Sequence, residues 1–250
     1  GTLTLMGRSG AGTGINLAEG GGTSPTLNAT NNANIVLDAQ SNSNIALLIG
    51  GGSVKSIIKS AAGALVLNGN SSSSTGIYSQ NSSEISSSGG GAITLIGLSA
   101  SAGGLGLNLL NGSISTTGQV QLTGNSVNNS AVFNSAAISG GSVTINGTAS
   151  GAGNGVYIGG AITASNGDVN ITGTSVTGGG VTVQGAVTAQ NNAIINGTSS
   201  SVSSLVQGVV ILSAVRANAD DIVVTGNTNS SLQRAVAITF GGSLQTLANG

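Results

Sequence analysis

A seven-residue motif recurs along the chain of 250 residues and constrains its fold more than any other feature. The motif has the form apolar-x-apolar-x-Gly and continues with Ser, Thr or Asn; clear copies are LVLNGNS from Leu65, VTINGTA from Val143 and VNITGTS from Val169. Its fifth position falls at residues 7, 39, 69, 97, 124, 147, 173, 197 and 226, with alanine replacing glycine at 39. The mean step of about 27 residues is typical of a protein whose repeats stack on one another.

A second unit of constant length separates the motifs in the C-terminal half. GVYIGGAITASNGD (155–168), GVTVQGAVTAQNNA (180–193) and GVVILSAVRANADD (208–221) align without a gap. Each contains two further short stretches of alternating apolar residues, which indicate two more strands. The length varies between the motif and this unit, as in Thr198 to Gln207, so we expect a loop there.

These patterns predict an all-β fold, a right-handed parallel β-helix (β-solenoid) with about nine turns of roughly 27 residues and three strands per turn. We expect residues 1–250 to form one continuous repeat domain. Right-handedness follows from the strong preference of parallel crossover connections. A helical fold is excluded because the apolar period is two, and because 44 glycines would destabilise helices.

The predicted register of the third strand can be tested on two columns of residues. Each column consists of the equivalent positions in successive turns. The predicted inward column is entirely apolar: Leu27, Ile58, Ile85, Ile114, Ile138, Ile162, Val187, Val215 and Leu244. The residues that follow are all polar and are predicted to point outward: Asn28, Lys59, Ser86, Ser115, Ser139, Thr163, Thr188, Arg216 and Gln245. Successive residues of a strand face opposite sides, so this contrast favours one register.

The second strand of each turn carries a candidate contact surface. Its predicted outward column is Asn16, Ala46, Tyr78, Gly106, Phe133, Tyr157, Thr182, Val210 and Ala237. Tyr78, Phe133 and Tyr157 are three of the four aromatic residues in the chain, and we predict that they form a contact patch. The alternative is that these rings pack beneath a loop of the rod itself.

Composition excludes several classes of function. The chain has no Cys and no His, so zinc sites, haem ligation, Ser-His-Asp triads and thiol catalysis cannot occur. Five Lys and Arg residues against six Asp and Glu are too few for a nucleic-acid interface. The longest apolar runs, such as Ile45 to Ile49, are far too short to span a membrane. We therefore expect no enzyme activity, cofactor, metal, nucleic acid or membrane insertion.

Two polar segments could still suggest chemistry. Asp168 and Asp221 align in one corner, two turns apart, with Ala193 predicted between them. Asp220 and Asp221 are interpreted as a solvated corner, with a weakly held cation as the alternative. The glycine-rich segment 7–14 resembles a phosphate-binding loop, but it lacks the Lys-Ser/Thr ending and a following helix, so a corner is the better interpretation.

The VTINGTA and VNITGTS motifs, with GVYIGGAITASNGD between them, resemble the repeat region of filamentous-haemagglutinin-like proteins, which are large bacterial adhesins exported by two-partner secretion. The pattern is also similar to the passenger repeats of giant autotransporter-type surface proteins. The resemblance covers essentially the whole chain. It implies a right-handed parallel β-helix that is secreted unfolded and folds outside the cell, a route that the absence of Cys fits.

We therefore expect a non-enzymatic extracellular fibre segment of a bacterial surface adhesin, which extends the fibre or mediates adhesion. The alternative is a structural subunit of an extracellular filament or sheath, assembled end to end or side by side. Expected partners are neighbouring turns or rods of the same protein, glycans, or host and community cell surfaces. No initiator Met or signal-type segment precedes the first motif, so we expect a segment of a longer fibre.

Overall fold

The computed structural model describes residues 1–18, 24–51, 54–202, 206–230, 233–239 and 241–247. They form three parallel sheets of nine strands each, and together the sheets make a β-solenoid. Every turn contributes one strand to each sheet, as predicted. No described segment is a helix long and apolar enough to cross a membrane.

Sheet A contains the recurring motif and has the longest strands. Its strands are β1 (Thr2–Ser9), β4 (Asn34–Ser41), β7 (Leu65–Ser71), β10 (Ile93–Ser99), β13 (Gln119–Ser126), β16 (Ser142–Ala149), β19 (Val169–Ser175), β22 (Ala193–Ser199) and β25 (Ile222–Thr228). Neighbouring strands pair in parallel with the motifs aligned residue by residue. The apolar residues of the motif therefore stack into continuous inward columns.

Sheets B and C are built from short strands of three or four residues. Sheet B consists of β2 (Ile15–Leu17), β5 (Leu47–Ile49), β8 (Ile77–Ser79), β11 (Leu107–Leu109), β14 (Val132–Asn134), β17 (Val156–Ile158), β20 (Val181–Val183), β23 (Val209–Ile211) and β26 (Val236–Ile238). Sheet C consists of β3 (Thr26–Ala29), β6 (Ile57–Ser60), β9 (Glu84–Ser87), β12 (Ser113–Thr116), β15 (Ala137–Gly140), β18 (Ile162–Ala164), β21 (Val187–Ala189), β24 (Ala214–Ala217) and β27 (Ser243–Thr246). The predicted variable loop starts after Ser199, and its residues 203–205 lie outside the described residues.

The predicted inward column of sheet C is confirmed throughout the interior of the rod. All of its members pair with one another, and those from Ile58 to Val215 are buried. The first member, Leu27, is only half-buried. The prediction of burial is wrong for the last member, because Leu244 is 41% exposed. In the described structure no further turn covers it, so stacking cannot bury its side chain. The polar residues that follow each member are exposed or half-buried.

The motif glycines mark a close approach between strand A and the entry to strand B. A Cβ atom on Gly147 would overlap the carbonyl oxygen of Gly155, the residue just before β17. The same overlap recurs at Gly124 with Ala131 and at Gly173 with Gly180. Glycine is needed here because the two backbone segments leave no room for a side chain. Ala39 is the one departure from glycine in the motif column, and it is fully buried.

Inward serines in β4, β7, β10, β13 and β19 connect these strands of sheet A to a loop of the preceding turn. Ala149 and Thr228 occupy the equivalent position in β16 and β25. The Ser175 hydroxyl donates to the carbonyl of Gly153 at 2.6 Å and accepts from the Gly178 N–H at 2.8 Å. Equivalent donations connect Ser41 to Gly12, Ser71 to Asn44, Ser99 to Ser74 and Ser126 to Gly104, at 2.6–2.7 Å. These buried hydroxyls satisfy backbone groups that would otherwise be buried without partners.

Replacing one of these serines should cost measurable stability. We expect Ser175→Ala to lower the free energy of unfolding by about 1–3 kcal/mol, because loop backbone groups lose their buried partner. Chemical denaturation followed by circular dichroism measures the effect. Thr174→Ala is the matched control, because Thr174 points outward on the same strand, and it should change stability by less than about 0.5 kcal/mol. Equal effects of the two substitutions would contradict this role for the serine.

Candidate functional site

The middle residues of the sheet B strands pair in one outward row along the rod, in which only the last, Ala237, is buried. We call this row the sheet B stripe; its members are Asn16, Leu48, Tyr78, Asn108, Phe133, Tyr157, Thr182, Val210 and Ala237. The prediction was wrong at two positions, because Leu48 and Asn108 stand where Ala46 and Gly106 were expected. Ala46 and Gly106 are instead buried residues just before β5 and β11.

The error has a simple physical origin. In turns two and four, the largely apolar segments 45–49 and 105–110 are longer than the three-residue strands that form within them. A slip of two residues leaves every side chain on its original face, so alternation alone cannot choose between the two registers. In the structure, both Leu48 and Asn108 pair with Tyr78 in the turn between them, and this pairing fixes the register.

Phe133 and Tyr157 form the centre of the sheet B stripe. Their rings are stacked with centroids 4.7 Å apart and planes inclined by 3°. This distance matches the expected strand spacing of about 4.8 Å, which confirms the prediction that the rings occupy successive turns. Because the rings face one another, their edges, and not the faces between them, are turned outward. Both side chains are half-buried.

The Tyr157 ring is held from two directions. Its hydroxyl lies 2.6 Å from Oε1 of Gln184, in the next turn, and donates a hydrogen bond to it. The ring leans toward Gly159, where an added Cβ atom would come within 3.1 Å of the ring carbon Cε1. The glycine thus leaves space for the ring. Analysis of the sequence missed Gln184, whose place beside Tyr157 follows only from the register between turns.

Asn108 lies between Tyr78 and Phe133 in the sheet B stripe. Tyr78, Asn108, Phe133 and Tyr157 therefore place planar side chains in four consecutive turns. The Oδ1 atom of Asn108 is buried and has no hydrogen-bond partner among the described residues. Neighbouring side chains cover it without supplying a donor, so this position has an unused acceptor.

A shallow groove adjoins the stripe at its C-terminal end. It has a volume of about 300 Å³ and is lined by Thr182, Val210, Asn154 and Gln207 among others. All of its lining residues are uncharged. The stripe and the groove together present a neutral surface of apolar, hydroxyl and amide groups.

The acidic corner differs from the prediction in one residue. Asn192, not Ala193, lies between Asp168 and Asp221, because Val169, Ala193 and Ile222 are the residues that pair. Oδ1 of Asp168 accepts from the Asn192 backbone N–H at 2.9 Å, and Oδ1 of Asn192 accepts from the Asp221 N–H at 3.1 Å. The side chains of Asp168 and Asn192 thus stabilise the backbone of the corner. Among the described residues, no three His, Cys, Asp or Glu side chains could hold a metal ion together.

The glycine-rich segment 7–14 forms the end of β1 and the loop that follows it. The Gly12 N–H donates to the Ser9 hydroxyl at 2.7 Å, in the pattern of the inward serines described above. The segment leads directly into β2. No helix follows it, so its geometry is that of a loop between strands and not of a phosphate-binding loop.

Comparison with known proteins gives no match: neither a protein-family model, nor a curated protein, nor a solved structure is similar to this chain.

Proposed function

We propose that this chain is a non-enzymatic segment of an extracellular fibre, part of a bacterial surface adhesin of the filamentous-haemagglutinin-like or autotransporter type. The observation that carries the proposal is the uniform register of nine successive turns. Each turn buries its apolar residues against its neighbours, so a rod of this kind extends by adding turns without a new core. Such a rod holds a surface away from its point of attachment.

We assign adhesion to the sheet B stripe around Phe133 and Tyr157. The exposed ring edges carry partial positive charge, because the aromatic quadrupole is negative on the faces and positive at the edge. Oxygen-rich neutral surfaces, such as glycans on cells, complement these edges and the nearby hydroxyl and amide groups of Tyr157, Gln184 and Thr182. The uncharged groove beside the stripe fits the same chemistry.

The test is a Phe133→Ser, Tyr157→Ser double variant. We expect its binding to cells or to immobilised neutral glycans to be at least about tenfold weaker, because aromatic anchors carry a large share of contact energy. The matched control is Ser139→Ala, Thr163→Ala, which changes two exposed outward residues of sheet C. Circular dichroism must show that all three proteins are folded. Binding of the double variant equal to that of the parent would overturn the assignment.

A second candidate function is a structural filament of rods joined end to end. Inward residues are uncovered in the first and last turns: Leu3 is 39% exposed, Ile238 45% and Leu244 41%. The outer strands of the described rod also have one edge without a neighbouring strand, which is a template for further β-pairing. Electron microscopy of the purified chain distinguishes filaments from isolated rods of roughly 43 Å, the length of nine strand spacings.

A further inference from the structure

Sheet A presents a broad outward surface from β7 to β25, which we call the lateral face. It is formed by the second, fourth and sixth residues of the motif in seven consecutive turns. These 21 side chains comprise five aliphatic residues and 16 neutral polar ones, mostly Thr and Asn. The charged outward residues of this sheet, Arg8 and Asp38, lie beyond the lateral face in β1 and β4.

The polar side chains of the lateral face are not used within the rod. Among the described residues, none of them forms a hydrogen bond to another part of the chain, in contrast to the inward serines and the corner asparagines. The donors and acceptors of the lateral face are therefore available to a second molecule.

We propose that the lateral face pairs with the same face of a second copy of this chain, with the two rods side by side. This goes beyond the end-to-end filament described above and concerns the side-by-side assembly that the sequence leaves as an alternative. A second copy repeats the same spacing along the axis and across the strands, so side chains of the two sheets can interdigitate regularly. Between paired sheets of this kind identical side chains interdigitate, and Asn ladders add to the stability of the contact.

The area of the lateral face is sufficient for such a pair. Seven strands at ~4.8 Å and seven residues at ~3.3 Å give about 780 Å² on each rod, or about 1,550 Å² in total. Specific complexes bury about 1,200–2,000 Å². Sheets B and C offer much narrower surfaces, because their strands have three or four residues. Sheet A is thus the face best able to support lateral pairing.

A two-fold axis at the centre of the lateral face makes the pairing self-complementary. The middle strand is β16, and its central outward residue is Asn146. In an antiparallel pair of rods about this axis, Asn146 meets its own copy, as in any interface of two-fold symmetry. Arg8 and Asp38 lie outside the two paired lateral faces, so no charge is buried between them.

The experiment introduces a charged residue at position 146, the centre of the proposed interface. Sedimentation equilibrium of the parent chain should show a monomer–dimer equilibrium. We expect Asn146→Lys and Asn146→Asp each to raise the dimer dissociation constant at least about tenfold, because like charges then face one another. An equimolar mixture of the two variants should restore association. Thr163→Lys and Thr163→Asp, exposed outward changes on β18 in the same turn, are the controls and should leave association unchanged.

Three results would overturn the proposal. The parent could remain monomeric, the Asn146 variants could associate as tightly as the parent, or the Thr163 variants could weaken association as much as the Asn146 variants do. A monomeric parent that binds neutral polysaccharide through Asn146 would assign the face to carbohydrate instead. None of these results bears on adhesion through Phe133 and Tyr157, which is measured by binding to cells and glycans, so the two proposals fail separately.

Discussion

Gly147→Val should destabilise the rod by about 3 kcal/mol or more, because a side chain at this position overlaps the backbone carbonyl of Gly155. The overlap is with backbone and not with the end of a flexible side chain, so it cannot be relieved by a rotamer change. Strand β16 would have to move away from the entry to β17, which would disturb its pairing with β13 and β19. Chemical denaturation followed by circular dichroism measures the loss.

The matched control is Thr148→Val, at the next residue of the same strand. Thr148 is exposed and points outward, so we expect a change within about 0.5 kcal/mol. The buried Ala39 in β4 shows that one turn already accommodates a methyl group in the motif column, and for this reason the bulkier valine is the decisive substitution. A loss below about 1 kcal/mol for Gly147→Val would show that the two segments separate easily.

Ile138→Asp should have an even larger effect, above about 4 kcal/mol, because it buries an unpaired carboxylate in the inward column of sheet C. Ile138 is only 2% exposed, and it stacks between Ile114 and Ile162. Solenoid stability is a sum of terms between neighbouring repeats, so the loss should centre on turn five. Limited proteolysis should cut the variant in the turns around β15 before those at a distance.

Ser139→Asp supplies the control at the adjacent residue. Ser139 is exposed on the outward side of β15, and we expect its substitution to change stability by less than about 0.5 kcal/mol. The two substituted positions, 138 and 139, are adjacent in strand β15. Equal stability of the two variants would show that the register of sheet C is wrong by one residue.

The stacking of Phe133 on Tyr157 illustrates how far local patterning can predict a site. Each ring follows a buried valine and precedes another inward residue, so the alternation of β14 and β17 directs both rings outward. Because the turns repeat with uniform spacing, the distance between the rings followed from the strand separation alone. The orientation of the rings depends also on Gln184 and Gly159, which lie outside these two strands.

The sequence by itself determined the repeat length, the parallel solenoid fold and the inward column of sheet C, since alternation of apolar and polar residues distinguishes the two faces of a strand. Tertiary structure decided which residues stack across turns where loop lengths vary. It placed Leu48 and Asn108 in the sheet B stripe, and Asn192 between Asp168 and Asp221. It also showed why the motif needs its glycine and its serine. Both residues act on backbone from another segment, and contacts of that kind leave no periodic signature in a single strand.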